Sequence, residues 1–488
     1  MASIPFVARA SELRLLQEQW DAPAARLLIL YGRRRVGKTR LITHWLETSG
    51  ARALYWVADP TSAAEQLRSF SQALYAFENL QAAPDAFTYT TWGQAFQQVA
   101  RLTHDERLIL VLDEFTYLLM TEPGIAGILQ NIWDHDLKQT RLFLIISGSH
   151  IGMMQRELLA YQAPLFGRAT AKLRLPPLPF GATQAYFPRY RTDERVAVYA
   201  MLGGVPGYWE MFDPTARLDS NIRKQLLGRS SLIMDEPRLL LQDFVSDIHN
   251  YVAILRAIAH GYRTPKQIAD RAGLNERHIS MYLKILIATG YVERRLPITA
   301  TAASRLGRHS ITDPFLRFYF RFLSERQAQL ALGVQEQTLA ELKKHLIDFI
   351  GTHTWEELCR DWLLQAGARG QLQVRPDQVG SAWTRTAQMD VVGINRMEKT
   401  MILGECKWGL RPADQDVLEK LVAQAAEFVP KAGQWRVLLL GFARAGWTDA
   451  ARRLARNLAG QALQGPTQWV GMELMDLKQI DDDLADWA

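Results

Sequence analysis

Residues 26–47 read RLLILYGRRRVGKTRLITHWLE, and this stretch decides the fold of the first third of the chain. Arg26 to Tyr31 is an apolar run of the length of one buried strand. Gly32 to Thr39, GRRRVGKT, has the spacing G-x-x-x-x-G-K-[ST]. The following RLITHWLE opens a helix with apolar residues at helical spacing. A glycine-rich turn between strand and helix aims backbone N–H groups outward at the positive end of the helix, which suits an anion. Gly32, Arg33, Arg34, Arg35, Val36, Gly37, Lys38, Thr39 and Arg40 are therefore candidate contacts to ATP. Lys38 is placed to reach the β and γ phosphates, and the Thr39 hydroxyl to ligate Mg²⁺.

Three more strand-like runs surround this one. RALYWV spans 52–57, RLILVLDEF spans 107–115 and RLFLIISGS spans 141–149. The second ends in Asp113–Glu114, the pattern of a Walker B segment. Asp113 would hold the hydrated Mg²⁺, and Glu114 would orient or deprotonate the attacking water. The polar end of the third fits a residue that senses the γ-phosphate, Ser149 or alternatively Ser147. Such Ser/Gly ends are also common turns. In APLFGRATAKLRL, Arg168 follows a glycine and precedes another strand-like run. It reads as an arginine finger acting on a neighbouring subunit of a homo-oligomer, or as a surface arginine.

FVARASEL, the phosphate loop, LILVLDEF, SGSHIGMM, PLFGR and LGGVPGYW occur in that order. They resemble the archaeal-type ATPase family of the AAA+/STAND group. The resemblance covers roughly the first half of the chain. It implies a P-loop core at 1–185, with a five-stranded parallel sheet between helices, and a helical lid at 186–248. Gly203, Gly204 and Pro206 would mark the start of that lid.

The 488 residues suit three or four domains. With 48% hydrophobic and 22% charged residues, the composition excludes a mainly disordered chain. The two cysteines, Cys359 and Cys406, are 47 positions apart, which gives neither a disulfide framework nor metal-ligand spacing. MASIPFVARASELRLL lacks the pattern of a secretory signal, and no apolar run reaches the ~18–20 residues of a bilayer span. A reducing, cytoplasmic setting without a membrane partner is expected.

The formal charge is +6, but residues 251–310 hold ten Lys/Arg against three Asp/Glu. The basicity is local and points to DNA as a partner. Within it, Thr264 is a helix N-cap, Pro265 a first helical residue, Gly273 a helix stop and Asn275 the next N-cap. In ERHISMYLKILIATG, Ile279, Leu283, Leu286 and Ile287 share one face, leaving Arg277, His278, Ser280, Met281 and Lys284 outside. Tyr291 to Leu296 then reads as the first strand of a wing. This resembles a winged helix-turn-helix at 249–320, with Arg277, His278, Lys284, Arg294 and Arg295 as candidate DNA contacts. Winged helices of such ATPases also serve as lid extensions or protein-docking modules, and Glu276 would repel phosphate. His260 and His278 have no ligand-like partners. A polar helical linker is expected at 321–345.

The last third carries a different chemistry. RTAQMDVVGIN and KTMILGECKW read as two strands around a polar turn at Met397–Glu398. If they pair as a hairpin centred there, residues whose numbers sum to 795 lie opposite one another, as Asp390 and Glu405 do. Lys407, two residues on, shares the face of Glu405. Two close carboxylates suit a hard divalent ion such as Mg²⁺, and an adjacent lysine stabilises charge or helps to deprotonate water. A slip of one residue would break this set.

The D-(x)n-E-x-K order resembles the PD-(D/E)xK nuclease superfamily. TWEELCRDWL, MDVVG and LGECKW resemble the domain of unknown function found beside archaeal-type ATPases. Met389 stands where that superfamily often has proline. The resemblance implies an α/β restriction-endonuclease-like domain at 346–488, with Glu356 or alternatively Glu357 as a helical acid. Its catalytic set would be Glu356, Asp390, Glu405 and Lys407, with Asp390 and Glu405 on the metal. Together these readings imply an ATP-hydrolysing protein that cleaves DNA under nucleotide control. The alternative is a signalling ATPase whose last domain binds without cleaving.

Overall fold

The computed structural model describes residues 5–228, 232–242, 245, 247–301, 304–458 and 467–488. The chain divides into two compact units. One holds Phe6–Leu178 with Val205–Tyr208, and the other holds Pro179–Gly204 and Trp209–Ala488. Among the described residues, no helix is long and apolar enough to cross a membrane.

The first unit is built on five strands: β1 (Arg26–Tyr31), β2 (Ala53–Val57), β3 (Ile109–Asp113), β4 (Phe143–Gly148) and β5 (Ala171–Arg174). They lie in the order β2-β3-β4-β1-β5, and every pair is parallel. The expected parallel sheet is therefore present. Its strands are unbroken apolar runs because both faces are covered. Leu27, Ile29, Leu110, Leu112, Leu144 and Ile146 point into one core. Leu28, Leu30, Ile109, Val111, Phe143 and Ile145 point into the other. Parallel registry brings Tyr31 level with Gly148, and Val57 level with Asp113. The loops after β1, β3 and β4 thus leave one edge of the sheet together.

The second unit holds the stretch in which a winged helix was expected. Helices His249–Ala259, Pro265–Ala272 and Glu276–Ala288 precede an antiparallel hairpin of β6 (Val292–Arg295) and β7 (Arg308–Ile311). Thr264 caps the second helix through Gln267, Gly273 ends it with φ +67°, and the Asn275 side chain caps the third. Ile279, Leu283 and Leu286 are buried as expected, but Ile287 is exposed. Tyr282 instead turns inward, packing edge-on against Tyr251 and bonding Asn250. The end of the stretch expected as a linker at 321–345 lies in helix Gln335–Phe349, which buries Leu339, Leu342 and Leu346.

The chain then passes through a π-helical turn, Ile350–Trp355, into helix Glu356–Ala368. A five-stranded sheet follows: β8 (Gln378–Trp383), β9 (Gln388–Asn395), β10 (Thr400–Lys407), β11 (Trp435–Ala443) and β12 (Thr467–Asp476). Its order is β12-β11-β10-β9-β8. β8, β9 and β10 are antiparallel neighbours, whereas β11 and β12 run parallel to β10. Helix Gln415–Phe428 buries Leu418, Leu421, Ala425 and Phe428 on one face, beside Ala451 and Ala455 of helix Asp449–Leu458.

Charged pairs tie this unit together. Arg195, in helix Thr192–Leu202, meets Asp481 of helix Leu477–Asp486, with side chains 8% and 4% exposed. Thr192 also donates to Asp481. Deleting one partner of so buried a pair costs about 3–5 kcal/mol, because the other charge is left uncompensated. Glu357 accepts two bonds from Arg317, at 2.7 and 2.8 Å, and one from Arg295 at 3.2 Å.

These pairs set a pH response. Burial works to raise the Glu357 carboxyl, but the adjacent arginines override it and hold the group at about 2. Burial, reinforced by Arg317, pushes His353 down to about 3. Both are depressed in the folded chain. Each therefore contributes stability that is present above its ordinary value and lost as pH falls towards its folded one. For His353 that loss begins near 6.5, and for Glu357 near 4.5. Groups raised by burial, such as Glu356, act with the opposite sign. The measurement is therefore the difference between wild type and His353→Asn in thermal midpoint from pH 7.5 to 5. The variant should lose less stability than wild type over that range; parallel curves would contradict the assignment.

Candidate functional site

The phosphate loop is held open by its own backbone. Gly37 has φ +97°, a conformation that a side chain would strain, and it directly precedes helix Lys38–Ser49. Arg35 adopts φ +63° despite carrying a side chain. The Lys38 side chain is 5% exposed. Its ammonium donates to the carbonyls of Gly32 (3.0 Å) and Arg33 (3.2 Å) and to Ser149 Oγ (2.9 Å). Thr39 Oγ1 donates to Asp113 Oδ2 at 2.8 Å, so the two expected Mg²⁺-side oxygens already touch. Tyr55 donates to the same carboxylate oxygen. Burial, with Asp113 beside it, raises the Tyr55 hydroxyl and keeps it a donor.

Glu114, with φ +49°, sits at the turn between β3 and helix Phe115–Thr121. Its carboxylate accepts from the hydroxyl of Ser149 and, at 3.3 Å, from the Ser149 backbone N–H. The sheet edge thus brings together Lys38, Thr39, Asp113, Glu114 and Ser149. Ser147 is buried within β4 and away from this network.

Several contacts to the loop were not foreseen from sequence. Arg9, 5% exposed, donates to Val36 O at 3.2 Å and Pro176 O at 2.8 Å, and pairs with Glu12 at 2.9 Å. Arg33 donates to the Tyr208 hydroxyl at 2.8 Å, and Arg34 to the Tyr117 hydroxyl at 3.3 Å. Gly207 N–H bonds Arg35 O at 3.2 Å, and a Cβ on Gly207 would stand 2.8 Å from the Arg35 Cβ. Arg9, Gly207 and Tyr208 lie in FVARASEL and LGGVPGYW, and Arg33 to Arg35 in the loop motif, but none of these contacts was legible there, because each is set by where a distant segment lands. Arg168 grips Asp134 with both Nε (2.8 Å) and Nη2 (2.6 Å), so its guanidinium is committed within its own unit.

The acidic set lies in the second unit. Asn395 pairs with Thr400 and Val391 with Gly404, so paired numbers sum to 795 as the hairpin reading requires. Asp390 and Glu405 lie one step beyond the last pair. Asp390 Oδ2 accepts from the backbone N–H of Cys406 at 3.1 Å, and Gln388 Nε2 donates to Asp390 Oδ1 at 3.3 Å. Lys407 meets Glu405 at 2.6 Å. Burial, with the Asp390 charge nearby, raises the Glu405 carboxyl. Burial tends to lower the Lys407 ammonium, but Glu405 holds it raised.

Burial first, then Asp390, pushes Glu356 up to about 8. Arg360 reaches both Glu356 (3.3 Å) and the Asp390 carbonyl (2.7 Å). The two helical acids therefore have different surroundings. Glu356 faces Asp390, whereas Glu357 is locked to Arg317 and Arg295. Helix geometry separates adjacent residues by about 100° of rotation, which accounts for the split. Cys359 and Cys406 also come together here as free thiols, both raised by burial.

Among the described residues, no three His, Cys, Asp or Glu side chains close into a ready-made metal cluster. Mg²⁺ needs only one or two carboxylates when water and a substrate phosphate complete its shell. The touching oxygens of Thr39 and Asp113, and the carboxylates of Asp390 and Glu405 on neighbouring strands, are hard donors of the kind such a shell uses. Of the proposed DNA contacts, Arg277, His278, Lys284 and Arg294 are exposed. Arg295 is not presented outward: it turns to Glu293 and Glu357.

Residues 6–212 match a family described as an ATPase domain predominantly from Archaea. Residues 319–417 match a family described as archaeal and bacterial proteins of unknown function. The uncharacterized protein MJECL04 of Methanocaldococcus jannaschii is 29% identical over 417 residues, 83% of this chain and 87% of that protein. The uncharacterized ATP-binding protein MJ0423 of the same organism is 54% identical over 44 residues, 9% of this chain and 75% of that protein. Among solved structures, the Walker-type ATPase paby2304 of Pyrococcus abyssi aligns with a TM-score of 0.48 and 20% identity. That alignment covers 65% of this chain and 96% of that one. The Aeropyrum pernix ORC1 protein in complex with DNA aligns with a TM-score of 0.34 and 15% identity, over 70% and 95% of the two chains. Residues 6–212 are thus similar to the archaeal ATPase domain, and residues 319–417 to the second family.

Proposed function

We propose that this chain hydrolyses ATP at the loop 32–39 and cleaves DNA phosphodiesters at the Asp390–Glu405–Lys407 set, with nucleotide state governing the second activity. The observation that carries the first half is the network joining Lys38, Thr39, Asp113, Glu114 and Ser149 at one sheet edge. Lys38 holds the terminal phosphates when it leaves the loop carbonyls. Bound Mg²⁺ supplies positive charge on the phosphate oxygens. Glu114, held by Ser149, takes the proton of the attacking water, and Ser149 exchanges that bond for one to the γ-phosphate.

Lys38→Ala should weaken ATP binding strongly. Glu114→Gln should keep binding within a few-fold but lower turnover by about 10²-fold or more, the scale of a lost general base. Fluorescent-nucleotide titration and phosphate release separate the two effects. Equal loss of binding in both variants would contradict the roles given.

For the second half, the supporting observation is the convergence of Glu356, Asp390, Glu405 and Lys407. When bound, Mg²⁺ there activates water and neutralises the phosphate. Asp390 and Glu405 are its carboxylates, and Lys407 stabilises charge developing on the cleaved phosphate. Glu356, raised by burial, keeps a proton to deliver to the leaving oxygen. DNA is the expected substrate because residues 251–310 carry a net +7 in the same unit. Linear, circular, single-stranded and branched DNA incubated with Mg²⁺ or Mn²⁺ should be cut by wild type and left intact by Asp390→Ala. No cleavage of any form by wild type, with ATP binding intact, would instead favour a non-cleaving switch.

A further inference from the structure

A cleft of about 300 Å³ opens between the β6–β7 hairpin, helix Gln335–Phe349 and the β8–β9 strands, all within the second unit. Its lining is strongly cationic. Arg263, Arg308, Arg321 and His345 face it, while Asp348 and Glu356 are its acids. Arg295 and Arg317 also reach it, but Arg295 is paired with Glu293 and Glu357, and Arg317 with Glu357. Arg308 lies over the Trp383 ring at 4.5 Å and donates to Gln388 Oε1 at 3.0 Å. Among the described residues, Arg263 and Arg321 make no ion pair. Arg263 is close enough to Arg308 to add to the lowering that burial imposes on it. Like charges in excess of their counter-charges cost free energy, and a bound anion would recover it.

The cleft also has a direction. Gln388, which takes the bond from Arg308, donates in turn to Asp390. Glu356 lines the cleft and faces Asp390. A chain of phosphates lying on Arg263 and Arg308 therefore leads to the acidic set. The volume, about 300 Å³, lies at the small end of ligand pockets, far below what a turn of duplex occupies.

We propose that this cleft is a phosphate track for single-stranded nucleic acid, in which Arg263, Arg308 and Arg321 hold the backbone and feed it to Asp390 and Glu405. It rests on the reading of that acidic set as a phosphodiester-cleaving site. Arg308 is a positioning residue as well as a contact, because Trp383 and Gln388 fix its guanidinium. The exposed face of helix Glu276–Ala288, with Arg277 and Lys284, is a separate surface.

The test is binding of a fluorescein-labelled dT20 strand to the full chain in EDTA, read by anisotropy over a range of salt. Omitting metal keeps binding distinct from cleavage. Arg263→Glu/Arg321→Glu should weaken binding at least tenfold. The slope of log K against log salt should shrink by about 1.4, or about 0.7 for each lost phosphate contact. Arg263→Gln/Arg321→Gln, which removes charge without reversing it, should show the same slope change if the first variant is unstable. Unchanged affinity and slope in both variants would overturn the proposal. So would equal, equally charge-dependent binding of duplex, or displacement of the strand by stoichiometric adenosine monophosphate. If the cleft variants lose the strand but wild type cuts no DNA, the track stands and the cleavage reading falls.

Discussion

The contact between Gly207 and Arg35 is the constraint on which the rest of this molecule turns. Arg35 occupies the left-handed region inside the phosphate loop, a conformation that costs a side-chain-bearing residue about 1–3 kcal/mol. Its carbonyl accepts from Gly207, and its side chain fills the space where any Cβ on residue 207 would stand. Val205–Tyr208 belongs to the unit of the phosphate loop, while Gly204 and Trp209 belong to the other unit. Four residues of backbone thus join the phosphate loop's unit to the segments on either side, which belong to the unit that carries the acidic set. Tyr208, which accepts from Arg33, extends the same joint.

Much of the architecture was legible because it rests on periodicity and spacing. The apolar runs at 26–31, 109–113 and 143–148 are strands buried on both faces, so their pattern is strong. Thr264, Pro265, Gly273 and Asn275 placed two helix boundaries because capping is local chemistry. The β9–β10 register followed from the turn at Met397–Glu398 because a hairpin fixes pairing by arithmetic. These are short-range constraints, and short-range constraints are written in consecutive residues.

Long-range partners were not legible. Arg9 on the phosphate loop, Arg360 between Glu356 and Asp390, and Arg168 on Asp134 depend on where distant segments meet. Ile287 was expected inside because the helical period allows it, yet it is exposed, while the half-buried Tyr282 packs on Tyr251 and bonds Asn250. Arg295 was expected outside because it is charged, but Glu357 supplies a closer partner than solvent. Glu356 and Glu357 are indistinguishable in sequence. Their environments separate them: Glu357 is a depressed, arginine-bound anchor, and Glu356 is a raised acid beside Asp390.

We propose that nucleotide at the loop governs chemistry at the acidic set, and Gly207 against Arg35 is where that proposal is most exposed. The most direct measurement is the rate of DNA cleavage with ATP, with ADP and without nucleotide, in wild type and in Gly207→Ala. Wild type should cut at rates that differ between ATP and ADP. Gly207→Ala, whose added Cβ displaces Arg35, should cut at one rate whatever the nucleotide. Wild-type rates that are identical in all three states, or a Gly207→Ala variant that keeps the full ATP response, would contradict the account.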